Sequence, residues 1–313
     1  MSSASQALPI PRMNATMVLR DYSEFIKLRV TTLIILTAWC GYYFGAAKSG
    51  VTSLSWMLLH ALVGIGLVSA GTAALNEVME HQTDALMRRT AMRPLVTGHM
   101  SFAQGLAAGL MMVLGGTAYL ALTTNLLAAF LTFATSVVYL GAYTPLKRVS
   151  PICTFIGAFP GAMPPVLGWA AARGRLDWEA LILFAILFFW QFPHFHSIAW
   201  LYREDYARAG VRMLPVVEAD GKRTSRQIVL YSFALIPATL APVFLGMTGK
   251  IYFAGALILG AAFLWTALRL ARSRKSPGMA QSKHLARHVL QASVFYLPLL
   301  FTLMMINAAV SLK

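Results

Sequence analysis

Long apolar runs separated by short polar segments fill this chain from about residue 30 to its end. Nine runs are long enough to cross a hydrocarbon core, which takes roughly 17–25 helical residues. They fall at 30–47, 55–76, 101–122, 125–145, 152–172, 178–201, 226–247, 251–269 and 287–311, here spans 1 to 9. Strand-like alternation with a period of two is absent, which argues against a membrane β-barrel. The pattern predicts an all-α integral membrane protein of nine transmembrane helices. No boundary resembles a linker between soluble domains. Residues 30–313 therefore read as one polytopic domain behind a cytoplasmic N-terminal segment, 1–29.

Charge orients the bundle. With nine spans, the N-terminus and the 2–3, 4–5, 6–7 and 8–9 loops share one face. Of the 26 Lys and Arg, all but Lys48, Arg173, Arg175, Lys250 and Lys313 lie on that face. The positive-inside bias then predicts a cytoplasmic N-terminus and an outside C-terminus. The net charge of +15 is accounted for by membrane-flanking loops that meet anionic headgroups. It forms no basic stripe, so nucleic acid is not an expected partner. Cys40 and Cys153 fall inside spans and read as small apolar side chains. Residues 1–29 lack the apolar core and cleavage site of a secretory signal. A bacterial inner membrane is the simplest location.

Against a composition only 12% charged, the stretch NEVMEHQTDALMRRTAMRP at 76–94 stands out. Asn76, Glu80 and Asp84 are spaced i, i+4, i+8, which stacks them on one helical face. An acid at membrane depth costs about 2.5–3.5 kcal/mol by insertion scales. Oxygen-only donors suit Mg²⁺, which commonly takes one or two carboxylates plus substrate phosphates. Arg88, Arg89 and Arg93 follow, and guanidinium is a natural clamp for phosphate oxygens. The stack therefore reads as a magnesium–diphosphate site. A solvated helix end with an Asp84–Arg88 pair is the plainer alternative.

A second charged loop follows span 6, in FFWQFPHFHSIAWLYREDYARAGVRMLPVV at 188–217. It carries Glu204 and Asp205, then Arg208 and Arg212. Two such clusters on one face can grip one polyanion. No Walker-type loop occurs, which disfavours nucleotide hydrolysis. Tyr139, Tyr143, Trp190, Phe192 and Phe195 bring ring faces to the spans that lead to these loops, where an aromatic face can meet a cation. In a membrane most such rings simply pack. His194 and His196, spaced i, i+2, point apart and make no chelating pair. Pro145, Pro160, Pro164 and Pro165 flank or interrupt span 5, as in broken helices that line cavities.

Asn76, Glu80 and Asp84 with Arg88 and the RP at 93–94 resemble the first motif of the UbiA superfamily of membrane prenyltransferases. YTPLKR, GAFPGAMPPVLGW, WQFPHF, YREDYARAG and MLPVV resemble its haem-modifying branch, and the likeness covers roughly residues 20–310. Glu80 stands where the family usually has Asp, and Ala209 replaces the second Asp of the second motif. The missing Asp favours the haem branch over acceptors such as quinone precursors.

The resemblance implies Mg²⁺-dependent transfer of farnesyl from farnesyl diphosphate to a vinyl group of haem B, giving haem O, with a haem A synthase as a candidate partner. It implies a reaction site at Asn76, Glu80, Asp84 and Asp205, with Glu204 as a further metal ligand. Arg88, Arg93, Lys147, Arg148 and Arg208 would bind diphosphate. His194, Tyr143, Trp190 and Phe192 would line the haem or prenyl pocket, with His194 a haem contact and His196 structural. A related prenyltransferase with another aromatic or tetrapyrrole acceptor is the runner-up. A cation-coupled transporter would need acids near the midplane, and these sit at loop edges beside arginines.

Overall fold

The computed structural model describes residues 15–308. Among them, nine helices are long and apolar enough to cross a membrane: Leu28–Lys48, Trp56–Asp84, Phe102–Thr123, Leu126–Leu146, Cys153–Arg173, Trp178–Leu201, Lys222–Phe244, Lys250–Arg272 and Ala280–Ile306. These are spans 1 to 9 as expected, with shifted ends. Span 2 runs two turns past its apolar stretch to Asp84. Span 9 begins at Ala280 rather than 287, its first two turns polar and so invisible to hydropathy. Residues 309–311 of the expected ninth span lie outside the described residues. So do residues 1–14 of the N-terminal segment, whose remainder forms a further helix, Ala15–Phe25. That helix anchors Phe25, fully buried, among Ala74, Val78 and Met100 and leaves Leu19 and Tyr22 exposed.

Local sequence sets several helix starts. Ser55 caps span 2 through the Leu58 amide. Ser101 and Gln104 form a reciprocal capping box on span 3, which satisfies two otherwise orphaned donors. Asn125 caps span 4 by accepting from the Ala128 amide at 2.9 Å. Its amide group donates to the Ala170 and Ala171 carbonyls of span 5, so one side chain both starts a helix and ties it to a neighbour.

Spans 2 and 3 pack along each other, as do spans 1 and 5, while span 6 lies against spans 7 and 9 and span 8 lies between those two. Small residues allow the closest approaches, as is usual where lipid provides no hydrophobic drive. A Cβ on Gly41 would sit 1.8 Å from the Pro165 carbonyl oxygen, and one on Gly168 would sit 1.8 Å from that of Ala38. Spans 1 and 5 therefore touch backbone to backbone. Span 5 breaks at Met163, between helical segments ending at Ala162 and starting at Pro164. Gln191 of span 6 donates to the Ala158 carbonyl beside that break, at 2.8 Å. Trp56 and Trp178 start spans at the same end of the bundle and are exposed, like the aromatic anchors of a membrane interface.

Candidate active site at the charged mouth

Spans 2, 4 and 6 all end on one side, and the loops that follow them form a cap. Met87 of the 2–3 loop packs with Ala209, Val211 and Met213 of the 6–7 loop and with Cys153. The Arg212 amide donates to the Lys147 carbonyl at 2.7 Å. The two charged loops thus meet over one mouth.

Beneath this cap the helix of span 2 carries its acids inward. Asn76, Glu77 and Asp84 are almost fully buried, and Glu80 is partly so. Lys27 Nζ donates to Asn76 Oδ1 at 2.6 Å. Asn76 Nδ2 donates to Glu80 Oε2 at 2.9 Å and to Thr144 Oγ1 at 3.1 Å. Lys147 Nζ reaches both Glu80 oxygens at 2.9 Å. Arg93 donates to Asp84 Oδ2, and its Nε lies 3.9 Å from Glu77 Oε2. Three cations, Lys27, Arg93 and Lys147, thus face three acids, Glu77, Glu80 and Asp84. Desolvation makes buried ion pairs weak stabilisers, so a cluster of this size is better explained by chemistry than by fold stability.

In the sequence Lys27 counts only toward topology, with nothing nearby to mark it as part of a site. It sits between the Ala15–Phe25 helix and span 1 with φ 48° and ψ 53°, a left-handed conformation costly for a side chain with a Cβ. That turn aims its ammonium into the mouth. Burial, then repulsion from Arg93 and Lys147, lowers its pKa to about 7. The Ala15–Phe25 helix is itself latched by Asp21 Oδ2 on His99 Nδ1, 2.8 Å apart. Glu77 was read only as part of the charged run, yet it is the most deeply buried acid of the mouth.

Tyr143 ends a π-helical turn, Tyr139–Tyr143, in span 4. Such turns often mark functional sites. Lys147 Nζ lies 4.5 Å from the centre of the Tyr143 ring, so this aromatic does border the charged cluster.

Other expected residues lie apart from it. Asp205 pairs with Arg208 on its own short helix. Glu204 is turned outward to Lys283 of span 9, at 2.8 Å. Arg88 and Arg148 are exposed. Arg89 instead reaches across the loops to the Tyr206 hydroxyl at 3.4 Å. Phe192 is buried in near-parallel stacking with Tyr231, centroids 3.7 Å apart. Trp190 and His194 face span 9: Trp190 Nε1 donates to the Ser293 carbonyl at 2.9 Å, and His194 Nδ1 lies 2.8 Å from Ser293 Oγ. His196, expected to be structural, is buried against Gln227 Oε1 at 2.8 Å.

Among the described residues, no three His, Cys, Asp or Glu side chains converge as a ready-made metal cage. Asn76, Glu80 and Asp84 instead follow one another a helical turn apart on span 2, with Lys27, Lys147 and Arg93 on their oxygens. A hard, all-oxygen set with few carboxylates is what Mg²⁺ takes when water and phosphate fill its remaining positions. The residues fit such an ion.

A nine-helix bundle with a buried acidic stack under a basic cap defines a class, and a family comparison agrees with it. The UbiA prenyltransferase family model matches residues 33–294, and the chain belongs to that family. It is 61% identical over 310 residues to a protohaem IX farnesyltransferase of Koribacter versatilis, covering 99% of this chain and all of that one. It is 48% identical over 295 residues to a protohaem IX farnesyltransferase of Solibacter usitatus, covering 92% and 99%. Among solved structures, a digeranylgeranylglyceryl phosphate synthase superposes with TM-score 0.75 at 16% identity, over 93% of this chain and 98% of that one. A UbiA homologue from Archaeoglobus fulgidus bound to GPP and Mg²⁺ gives TM-score 0.60 at 19% identity, over 91% and 99%. At those identities the likeness concerns the fold.

Proposed function

We propose that this membrane enzyme transfers farnesyl from farnesyl diphosphate to a vinyl group of haem B, producing haem O. The observation that carries the reading is the buried cluster Lys27–Asn76–Glu80–Lys147 with Arg93–Asp84, set at the mouth of a farnesyltransferase-like chain.

In the reaction the allylic C–O bond breaks and its electron pair leaves with the diphosphate. The terminal vinyl carbon attacks the farnesyl carbon, which leaves positive charge on the carbon next to the porphyrin. Water adds there and loses a proton. Asn76, Glu80 and Asp84 would hold Mg²⁺, which when bound would supply positive charge to the departing diphosphate, while Asp205, paired with Arg208, stays outside that set. Lys27, Arg93 and Lys147 balance the acids in the free site and face the same space. They are therefore the cations within reach of diphosphate oxygens, where fixed charge favours the leaving group. Tyr143, beside Lys147, offers a ring face to the allylic cation. His194 contacts the haem from span 6. The charged mouth faces the cytoplasm of an inner-membrane protein, and a haem A synthase takes the product onward.

The test is expression in membranes followed by mass analysis of extracted haem with farnesyl diphosphate supplied. A product heavier than haem B by one farnesyl and one hydroxyl group is expected. Unmodified haem, or prenylation of a different acceptor, overturns the assignment.

A further inference from the structure

Ser293 of span 9 is fully buried and is engaged three times. Its hydroxyl donates to the Leu290 carbonyl at 2.6 Å. A hydroxyl has one proton to give, so towards His194 Nδ1, 2.8 Å away, Ser293 Oγ acts as acceptor. His194 then carries its proton on Nδ1 and leaves Nε2 with a free lone pair. The Ser293 carbonyl meanwhile accepts from Trp190 Nε1. The Trp190 ring stacks on the His194 ring, centroids 4.8 Å apart and planes 21° from parallel. Both tautomer and ring plane of His194 are thus fixed by span 9.

His196, two residues on, is held the opposite way. Its Nε2 meets Gln227 Oε1, so the proton there belongs on Nε2 and no bare Nε2 is offered. His194 is the histidine prepared as a ligand. A ligating imidazole typically donates its other N–H to a fixed acceptor, which sets the tautomer and raises basicity. Depth agrees with this role. At 1.5 Å per residue, His194 lies about 10 Å inside the end of span 6 at Leu201, and Asn76 lies about 12 Å inside the end of span 2 at Asp84.

From this we infer that Ser293 is a positioning residue, presenting His194 Nε2 to the iron of the haem substrate. The inference rests on the reading of His194 as a haem contact and adds the residue that makes it one.

The test is optical titration of haem B into the purified full-length protein and its variants, with farnesyl diphosphate binding and thermal unfolding measured in parallel. Ser293→Ala leaves the imidazole free to take either tautomer. It is expected to shift the Soret band and to weaken haem binding about tenfold, the low end of effects for residues that orient metal ligands. Farnesyl diphosphate binding should hold. Ser293→Thr keeps the acceptor and should keep the wild-type spectrum. A wild-type Soret band and affinity in Ser293→Ala overturn the inference. If Ser293→Ala does not fold, an altered spectrum in a folded Ser293→Thr overturns it and an unaltered one supports it. His194→Ala separates the two levels: a wild-type haem spectrum in that variant removes the haem contact itself, whereas a changed spectrum there with an unchanged one in Ser293→Ala removes only the role of Ser293.

Discussion

The loops after spans 2 and 6 are written in the same letters, acids followed by arginines, and the fold uses them differently. Around the first, Asp84 and Asn76 are buried; Arg93 reaches Asp84 from nine residues away, and two further cations come from far along the chain, Lys27 to Asn76 across 49 residues and Lys147 to Glu80 across 67. In the second, Asp205 pairs three residues away with Arg208, and Glu204 meets Lys283 at the surface with 64% of its side chain exposed. Exposed pairs are worth roughly 0–1 kcal/mol and cost little to keep. Buried ones carry a desolvation penalty that their own attraction often fails to offset. On the proposed reading the first cluster is the chemical centre and the second its cover.

The largest expected effect follows from that difference. Asp84→Asn preserves shape, removes a charge and leaves Arg93 with a weaker acceptor. Losing one placed electrostatic group costs about 2.7–4 kcal/mol, or 10²–10³ in rate. Steady-state kinetics on membranes should show that loss for Asp84→Asn and a smaller one for Asp205→Asn. Equal losses would mean that the two acids act at one metal and would break the contrast. Activity of the wild type should vanish with a chelator and return with Mg²⁺, and full turnover in excess chelator would sink the diphosphate site.

A second, smaller effect belongs to Lys27. Lys27→Met removes one of three cations without touching the haem side. Farnesyl diphosphate affinity is expected to fall about tenfold, on the scale of a charge-assisted hydrogen bond of about 1.5 kcal/mol. Haem titration should be unchanged. An unaltered diphosphate affinity would return Lys27 to a topological role.

Much of this arrangement was legible in the sequence. Spacing alone put Asn76, Glu80 and Asp84 on one face, and hydropathy found all nine crossings. What it missed is nonlocal or hidden by averaging. Span 2 continues past Leu75 because its acids find Lys27, Lys147 and Arg93, which no window around residue 80 contains. Lys27 is one lysine in a polar stretch until a left-handed turn aims it. The haem-side aromatics looked like one pocket, yet successive residues of span 6 face different neighbours. Phe192 turns to span 7 and His194 to span 9, and only the packed bundle shows that Ser293 receives the latter. Tyr143 fell on a π-helical turn that no residue pattern announced.

A test of membrane orientation gives a result that is all or none rather than graded. The cap seen here requires the segments 83–90 and 218–224 to share a face, and the basic bias predicts a cytoplasmic one. Single cysteines placed in either segment, in a background lacking Cys40 and Cys153, should react only when reagent reaches the cytoplasmic side. Labelling of one from each side would contradict the packing of Met87 with Val211 and Met213. Labelling of both from outside would invert the charge argument alone.

The smallest expected effect is at Glu204. Its hydrogen bond to Lys283, offset in part by desolvation, holds the carboxyl below its usual range. With the folded pKa depressed, the pair contributes stability above about pH 4.5, the unfolded value, and loses it as pH falls through the folded one. The group is largely exposed, so the contribution is a fraction of a kcal/mol at most. Glu204→Gln should therefore leave turnover within about twofold of wild type, a change under roughly 0.5 kcal/mol, and thermal unfolding at neutral pH nearly unmoved. As pH falls through that depressed folded value the variant and the wild type should converge. A loss near that of Asp84→Asn would show that Glu204 leaves Lys283 during turnover and joins the acids of the first loop, and the second loop would then be part of the chemistry rather than its cover.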